Sequence, residues 1–233
     1  MHKKILLALS LFALFSISPA SIHAWEPNGD SIQPVRLPAF NRQLVPLEQT
    51  DFDGDGVAES MDIIDGRVWI KSGDTVRWQG SPEWIVRQAA LSDLNQDGTV
   101  EAVLLVWRPF KSWPVDRWLP NGGRIDEFMN AQGNSCHIIL IGWHREKFSE
   151  RWAGSALAQP IKSFKLVDTN GDGFDELITL ESTYETPADF PANALKVWEW
   201  NGFGFSLVSK LEGKFEALTV AQAPDQRTIF LTP

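Results

Sequence analysis

Three short acidic segments restrict this chain more than any other feature of its sequence. The first is Asp51-Phe52-Asp53-Gly54-Asp55-Gly56-Val57-Ala58-Glu59. The second is Asp93-Leu94-Asn95-Gln96-Asp97-Gly98-Thr99-Val100-Glu101, and the third Asp168-Thr169-Asn170-Gly171-Asp172-Gly173-Phe174-Asp175-Glu176. All read D-x-[DN]-x-D-G-x-x-E, and their starts lie 42 and 75 residues apart. Recurrence at about 20–50 residues marks stacked repeats or a propeller. The longer spacing is one period plus an insertion, placed at 108–136. A second landmark keeps the register: Arg77-Trp78-Gln79-Gly80-Ser81 precedes the second acidic segment, and Arg151-Trp152-Ala153-Gly154-Ser155 precedes the third. Gly213 predicts a fourth acidic segment near residue 226, where the chain reads Ala223-Pro224-Asp225-Gln226 and lacks the carboxylates.

Between these landmarks run short β-branched and aromatic stretches bounded by Gly, Asp, Asn and Ser, the pattern of strands. One unit runs from 162–166 through the acidic segment into 177–180, then 195–200, and past the turn Asn201-Gly202 into 205–208. That is four strands, with the acidic loop between the first and second. Four antiparallel strands in a period of about 45 residues make a β-propeller blade. The repeats fall near 40–82, 83–155, 156–213 and 214–233, in a single domain spanning 25–233. The fold class is all-β with one long loop insertion. Helical periodicity is weak, and its best stretch, Arg124 to Asn130, lies inside the insertion.

The acidic loops offer oxygen ligands at a spacing suited to calcium, which takes about six to eight of them. Asp51, Asp53, Asp55 and Glu59 supply side-chain oxygens in the first loop, Asp93, Asn95, Asp97 and Glu101 in the second, and Asp168, Asn170, Asp172 and Glu176 in the third. Position 7, occupied by Val57, Thr99 and Phe174, offers a backbone carbonyl. Glycine at position 6 permits the sharp turn. The bidentate glutamate of an EF-hand stands at about position 12, so this is a different loop. Hairpin turns alone are also rich in Asp, Asn and Gly, but turn chemistry does not require an acid at position 9 three times. Magnesium fits less well, because it favours rigid octahedral sites that keep several waters.

These segments resemble the FG-GAP and VCBS repeats, found in integrin alpha propellers and many exported bacterial proteins. The resemblance covers roughly 40–233 without the insertion. It implies a small propeller like the N-terminal domain of integrin alpha, and calcium, up to three ions, held by the residues just named. The chain is too short for seven blades; about four fit. The last repeat shows only inner strands, at 215–220 and 228–231. Residues 31–40 are the expected source of its outer strands, with an open array or a dimer as the alternative.

In such a blade all three acidic loops share one end, and the long second-to-third-strand connections lie at the other. The insertion there is rich in Trp and Arg, favoured binding anchors. Trp107, Arg108, Trp113, Asp116, Arg117, Trp118, Arg124 and, from the next unit, Tyr184 form the expected surface for a protein or glycan partner. The competing reading is that these aromatics plug the fold.

A catalytic motif is missing. After residue 24 the chain has two histidines, His137 and His144, without metal-ligand spacing. No G-x-S-x-G elbow or phosphate-cradling loop is present. Cys136 and His137 are neighbours on a strand and point to opposite faces, so Cys136 reads as a buried small hydrophobe. The expectation is a binding or adhesion module. The alternatives are a hydrolase or carbohydrate-active enzyme with its site in the insertion, and a structural subunit of a periplasmic or surface assembly.

Composition sets the compartment and excludes one partner class. The formal charge of −9 and pI near 4.9 oppose nucleic-acid binding, which needs a basic face. The single cysteine excludes an internal disulfide framework. The basic start His2-Lys3-Lys4, the apolar run Ile5 to Ile17 and the small residues at Ala20 and Ala24 read as a signal peptide, residues 1–24. The expected location is therefore periplasmic or extracellular, with no transmembrane segment after cleavage.

Overall fold

The structure is a computed structural model that describes residues 22–37, 42–43, 49–111, 128–187 and 189–233. Every regular element among them is a β-strand, and no helix among them is long and apolar enough to cross a membrane. The chain forms antiparallel four-stranded runs in sequence order. β4 (Gln49–Thr50), β5 (Glu59–Ile64), β6 (Arg67–Ser72) and β7 (Thr75–Gln79) make the first sheet. β8 (Ile85–Ser92), β9 (Glu101–Pro109), β10 (Asn134–His144) and β11 (Lys147–Ala153) make the second. β12 (Ile161–Val167), β13 (Glu176–Glu181), β14 (Ala192–Trp200) and β15 (Phe205–Phe215) form one flank of a nine-stranded sheet.

The other flank joins the two ends of the described chain. β16 (Thr219–Gln222) and β17 (Thr228–Thr232) pair with each other. β17 then pairs with β1 (His23–Asn28), and β1 with β2 (Ser31–Val35). β3 (Arg42–Gln43) lies against the free edge of β16. The two flanks meet through one parallel bridge, Lys210 to Ser31. The strands beside β17 thus come from 23–35, which overlaps only in part the 31–40 read from the sequence, and they belong to the same nine-stranded sheet as β12 to β15.

Burial explains why the middle strands carry unbroken apolar runs. A strand covered on both faces has no solvent side to alternate toward. Ala102 to Val106 in β9 are all fully buried. Ala102, Leu104 and Val106 pack with Val68 and Ile70 of the first unit and with Trp84 just before β8. Val103 and Leu105, pointing the other way, pack with Phe164 and Leu177 of the third. Ile178 and Leu180 of β13 continue the stack onto Val220 and Phe230 of the fourth. The core is thus a series of sheet-on-sheet layers. Removal of apolar surface from water, worth about 25 cal/mol per Å2, drives each of them.

The first strands of the last three units meet in series: β8 contacts β12, and β12 contacts β16. Gln88 bridges the first pair like a strand partner, its Nε2 donating to Phe164 O at 2.7 Å and its Oε1 accepting from Phe164 N at 3.0 Å. Between these strands lies a cleft of about 930 Å3, bordered by Ser92, Lys165, Thr219 and Arg227.

β9 runs to Pro109 and β10 starts at Asn134. Arg108 and Cys136, at the limits of the expected insertion, are therefore strand residues. Residues 112–127, with Trp113, Asp116, Arg117, Trp118 and Arg124, lie outside the described residues, as does most of the stretch read as helical.

Candidate metal centres

The three acidic loops occupy equivalent places, joining β4 to β5, β8 to β9 and β12 to β13. Each folds on its own side chains in the same way. The position-1 carboxylate accepts from the position-6 glycine amide: Gly56 to Asp51 at 2.9 Å, Gly98 to Asp93 at 3.0 Å, Gly173 to Asp168 at 2.9 Å. Position 3 accepts from the amide of position 5, and position 5 from that of position 7. Those glycines have φ of 89°, 88° and 91°, a left-handed conformation that glycine adopts without a Cβ penalty. Such Asx-type bonds wrap the backbone around the carboxylates.

The position-9 glutamates open β5, β9 and β13 and are the buried members of each cluster. Glu59 and Glu101 are 0% exposed and Glu176 2%. Glu59 Oε2 accepts from Phe52 N at 3.0 Å, and Glu176 Oε2 from Thr169 N at 2.7 Å. Glu59 Oε1 and Glu101 Oε2 are buried without a hydrogen-bond partner. Glu59 Oε1 has the Arg77 guanidinium 3.6 Å away; a buried carboxylate oxygen left wholly unpaired is costly, and a cation offsets that cost. Burial, with Asp97 and Asp93 alongside, pushes Glu101 up to about 8. Burial also raises Glu176, opposed by its bonds from Thr169.

The donor set fits a hard divalent ion. Oxygens of Asp51, Asp53 and Glu59 lie within 4.8 Å of one another. Two ligands on one calcium, each at about 2.3–2.6 Å, are at most about 5.2 Å apart. In the other two loops the asparagine amide sits among the acids. Asn95 Nδ2 donates to Asp97 Oδ2 at 3.3 Å and Glu101 Oε1 at 3.0 Å. Asn170 Nδ2 donates to Asp172 Oδ2 and Glu176 Oε1, both at 3.1 Å. At position 7 the amides of Val57, Thr99 and Phe174 are engaged in the turn, and Val57 and Phe174 side chains are exposed.

Two basic residues enter the loops from the last strand of their own unit. Arg77 Nη2 is 2.5 Å from Asp53 Oδ2, with Nη1 3.6 Å from Glu59 Oε1. Arg151 Nη2 is 3.1 Å from Asp97 Oδ2. Arg77 is covered by the Trp143 ring, 5.2 Å away, and holds the Asp53 carboxyl below the usual carboxylate range. These contacts were not read from the sequence. Their signal was present, because both arginines stand three residues before the landmark glycines Gly80 and Gly154.

At the other end of the units the expected partner residues are partly engaged within the protein. Tyr184 packs edge-on against Trp107 at 5.7 Å. Its hydroxyl donates to Leu157 O at 2.7 Å and accepts from Cys136 N at 3.2 Å. Arg108 is half-buried, and burial lowers its pKa against the opposing pull of Glu150. Among the described residues it has no hydrogen bond or ion pair.

Cys136 is fully buried and its thiol is pushed up to about 12 by burial, the inert state of a core cysteine. Next to it, on the opposite face of β10, His137 Nδ1 lies 2.9 Å from Gly154 O and Nε2 lies 2.7 Å from Ser135 Oγ. The carbonyl can only accept, so Nδ1 carries the proton and the Ser135 hydroxyl donates to Nε2. Ser135 is 0% exposed, and this serine–histidine pair ties β10 to the end of β11. Comparison of the chain with protein-family models, curated proteins and solved structures finds no match.

Proposed function

We propose that this protein is an exported calcium-binding repeat protein of the FG-GAP/VCBS type, a small propeller of four four-stranded blades that serves as a binding or adhesion module. The observation that carries the calcium reading is the shared hydrogen-bond wrapping of three in-register loops around buried glutamates, two of which keep an oxygen without a hydrogen bond. Four antiparallel runs, in three of which the first strands β8, β12 and β16 contact in series, support the blade reading. Calcium relieves repulsion in the loops and stabilises the fold by mass action.

The test is a melting curve of the purified protein with millimolar calcium, with magnesium and with a chelator. A large calcium-specific rise in Tm supports the reading. Equal melting in all three means that the loops are turns only.

We further propose that the partner docks at the end carrying the 108–136 segment. Arg108, a half-buried guanidinium with no ion pair among the described residues, supports an acidic group on that partner. In a pull-down from an extracytoplasmic extract, Arg108→Ala is expected to lose the captured partner and keep the calcium-dependent Tm. Capture unchanged by Arg108→Ala overturns the docking assignment.

A further inference from the structure

β12 is an edge strand of the nine-stranded sheet, and it borders the cleft of about 930 Å3 between β8, β12 and β16. An edge strand carries backbone N–H and C=O groups with no strand beside them. The two groups of one strand residue point to the same side, and the next residue but one repeats that direction. At Phe164 both point away from β13, because the Gln88 carboxamide holds the N–H at 3.0 Å and the C=O at 2.7 Å. Gln88 stands at a bulge of β8, a device that re-aims a side chain. Two residues on, Leu166 presents the same donor and acceptor at the cleft. Among the described residues neither has a hydrogen-bond partner. Two further on, Asp168 O accepts from Thr228 Oγ1 at 2.9 Å. Side chains therefore fill this edge on both sides of Leu166 and leave it open at Leu166.

Charge in the cleft has one unmatched member. Asp93 and Asp168 accept from amides of their own loops, and Asp175 accepts from Ser92 Oγ. Asp225 and Arg227 pair with each other. Lys165 is half-buried, lines the cleft, and among the described residues has no ion pair or hydrogen bond. We propose that the cleft captures a short extended peptide with a free carboxylate, one of its peptide groups pairing with Leu166 and the carboxylate with Lys165. The Gln88 carboxamide has the donor and acceptor of a peptide bond, so its seat on Phe164 shows the kind of group this edge accepts. The volume falls in the range of about 300–1,000 Å3 usual for ligand pockets. Strand addition draws its affinity from main-chain hydrogen bonds, so a peptide of small side chains suffices. The site is separate from the Arg108 end and does not rest on the calcium reading.

The test is amide NMR of the whole protein with acetyl-tetra-alanine added at millimolar concentration, as the free acid and as the C-terminal amide. The acid is expected to shift the Leu166 N–H signal and slow its exchange with solvent. The C-terminal amide is expected to bind about fivefold more weakly, the share of one partly exposed ion pair. The same peptide N-methylated at every peptide nitrogen is expected to leave Leu166 unmoved. In Lys165→Met the acid and the amide are expected to bind alike. No shift at Leu166 with the acid overturns the proposal. So does a Leu166 N–H already protected in the free protein, which means that the chain itself occupies the edge. Equal shifts from the N-methylated peptide overturn the strand pairing, and equal binding of acid and amide to the wild type overturns the role of Lys165. The peptide series stands even where Lys165→Met fails to fold.

Discussion

The indole Nε1 of Trp25 donates to Thr232 Oγ1 at 2.9 Å, across 207 residues of chain. It belongs to the seam where β1 and β17 pair, His23 to Thr232, Ala24 to Leu231 and Trp25 to Phe230. Trp25 also lies edge-on to Phe215 at 6.3 Å. Thr232→Val leaves the indole N–H without its partner and is expected to cost about 1 kcal/mol, read as a lower urea midpoint with an unchanged slope. Deleting 219–233 removes β16 and β17 and is expected to abolish cooperative unfolding.

The same seam bears on processing. On the export reading, cleavage after Ala24 removes two of the three residues that pair with β17, including the buried Ala24. Cleavage after Ala20 leaves β1 whole. N-terminal sequencing of the exported protein is expected to read Ser21 first; a start at Trp25 means that the seam forms without its first two pairs.

Acid sensitivity is expected from His137. Burial holds its pKa down to about 4, from an ordinary 6.5. Above pH 6.5 the ring is neutral folded and unfolded, and contributes nothing. Between 6.5 and 4 the unfolded chain takes up a proton that the folded chain refuses, so stability falls as pH falls, by about 3 kcal/mol in all. Below 4 the loss levels off. Urea unfolding of the wild type and His137→Gln at pH 7 and pH 4.5 isolates this share: the stability difference between the two proteins must change with pH. A constant difference sinks the assignment.

The buried pair Lys196–Glu181 holds the third unit. Their charged atoms are 2.7 Å apart, Lys196 also bonds Gln159, and Glu181 accepts from Thr179 and Trp198. Lys196→Met strands a buried carboxylate and is expected to cost about 3–5 kcal/mol. The double change with Glu181→Leu is expected to recover part of that loss in a thermodynamic cycle, because no unpaired charge remains.

Gly142 sits beneath the second loop. A Cβ there would lie 2.9 Å from Arg151 Cγ and 3.1 Å from Glu101 Cγ, so Gly142→Ala displaces both. Overpacking of this kind costs about 1–3 kcal/mol. On the calcium reading, a calcium titration is expected to show binding at the second loop altered and at the third unchanged; a change at the third loop instead would mean that the strain travels between units.

Much of the local structure was legible because it depends on neighbours in the chain. Alternation along a strand separates Cys136 from His137 whatever the fold around them. The glycine at position 6 permits the same turn in all three loops, and the two-residue steps between acids produce their Asx bonds without outside help. The strand–loop–strand order of each unit followed from the same spacing. The tertiary structure decided what depends on distant chain. Arg77 finds Asp53 from 24 residues away and Arg151 finds Asp97 from 54, because β7 and β11 end beside the loops of their own sheets. His137 Nδ1 finds Gly154 O from 17 residues away, because the end of β11 lies beside β10. The fourth unit closes with strands from both ends of the chain, because two strands alone leave an apolar face and an open edge that β1 and β2 cover.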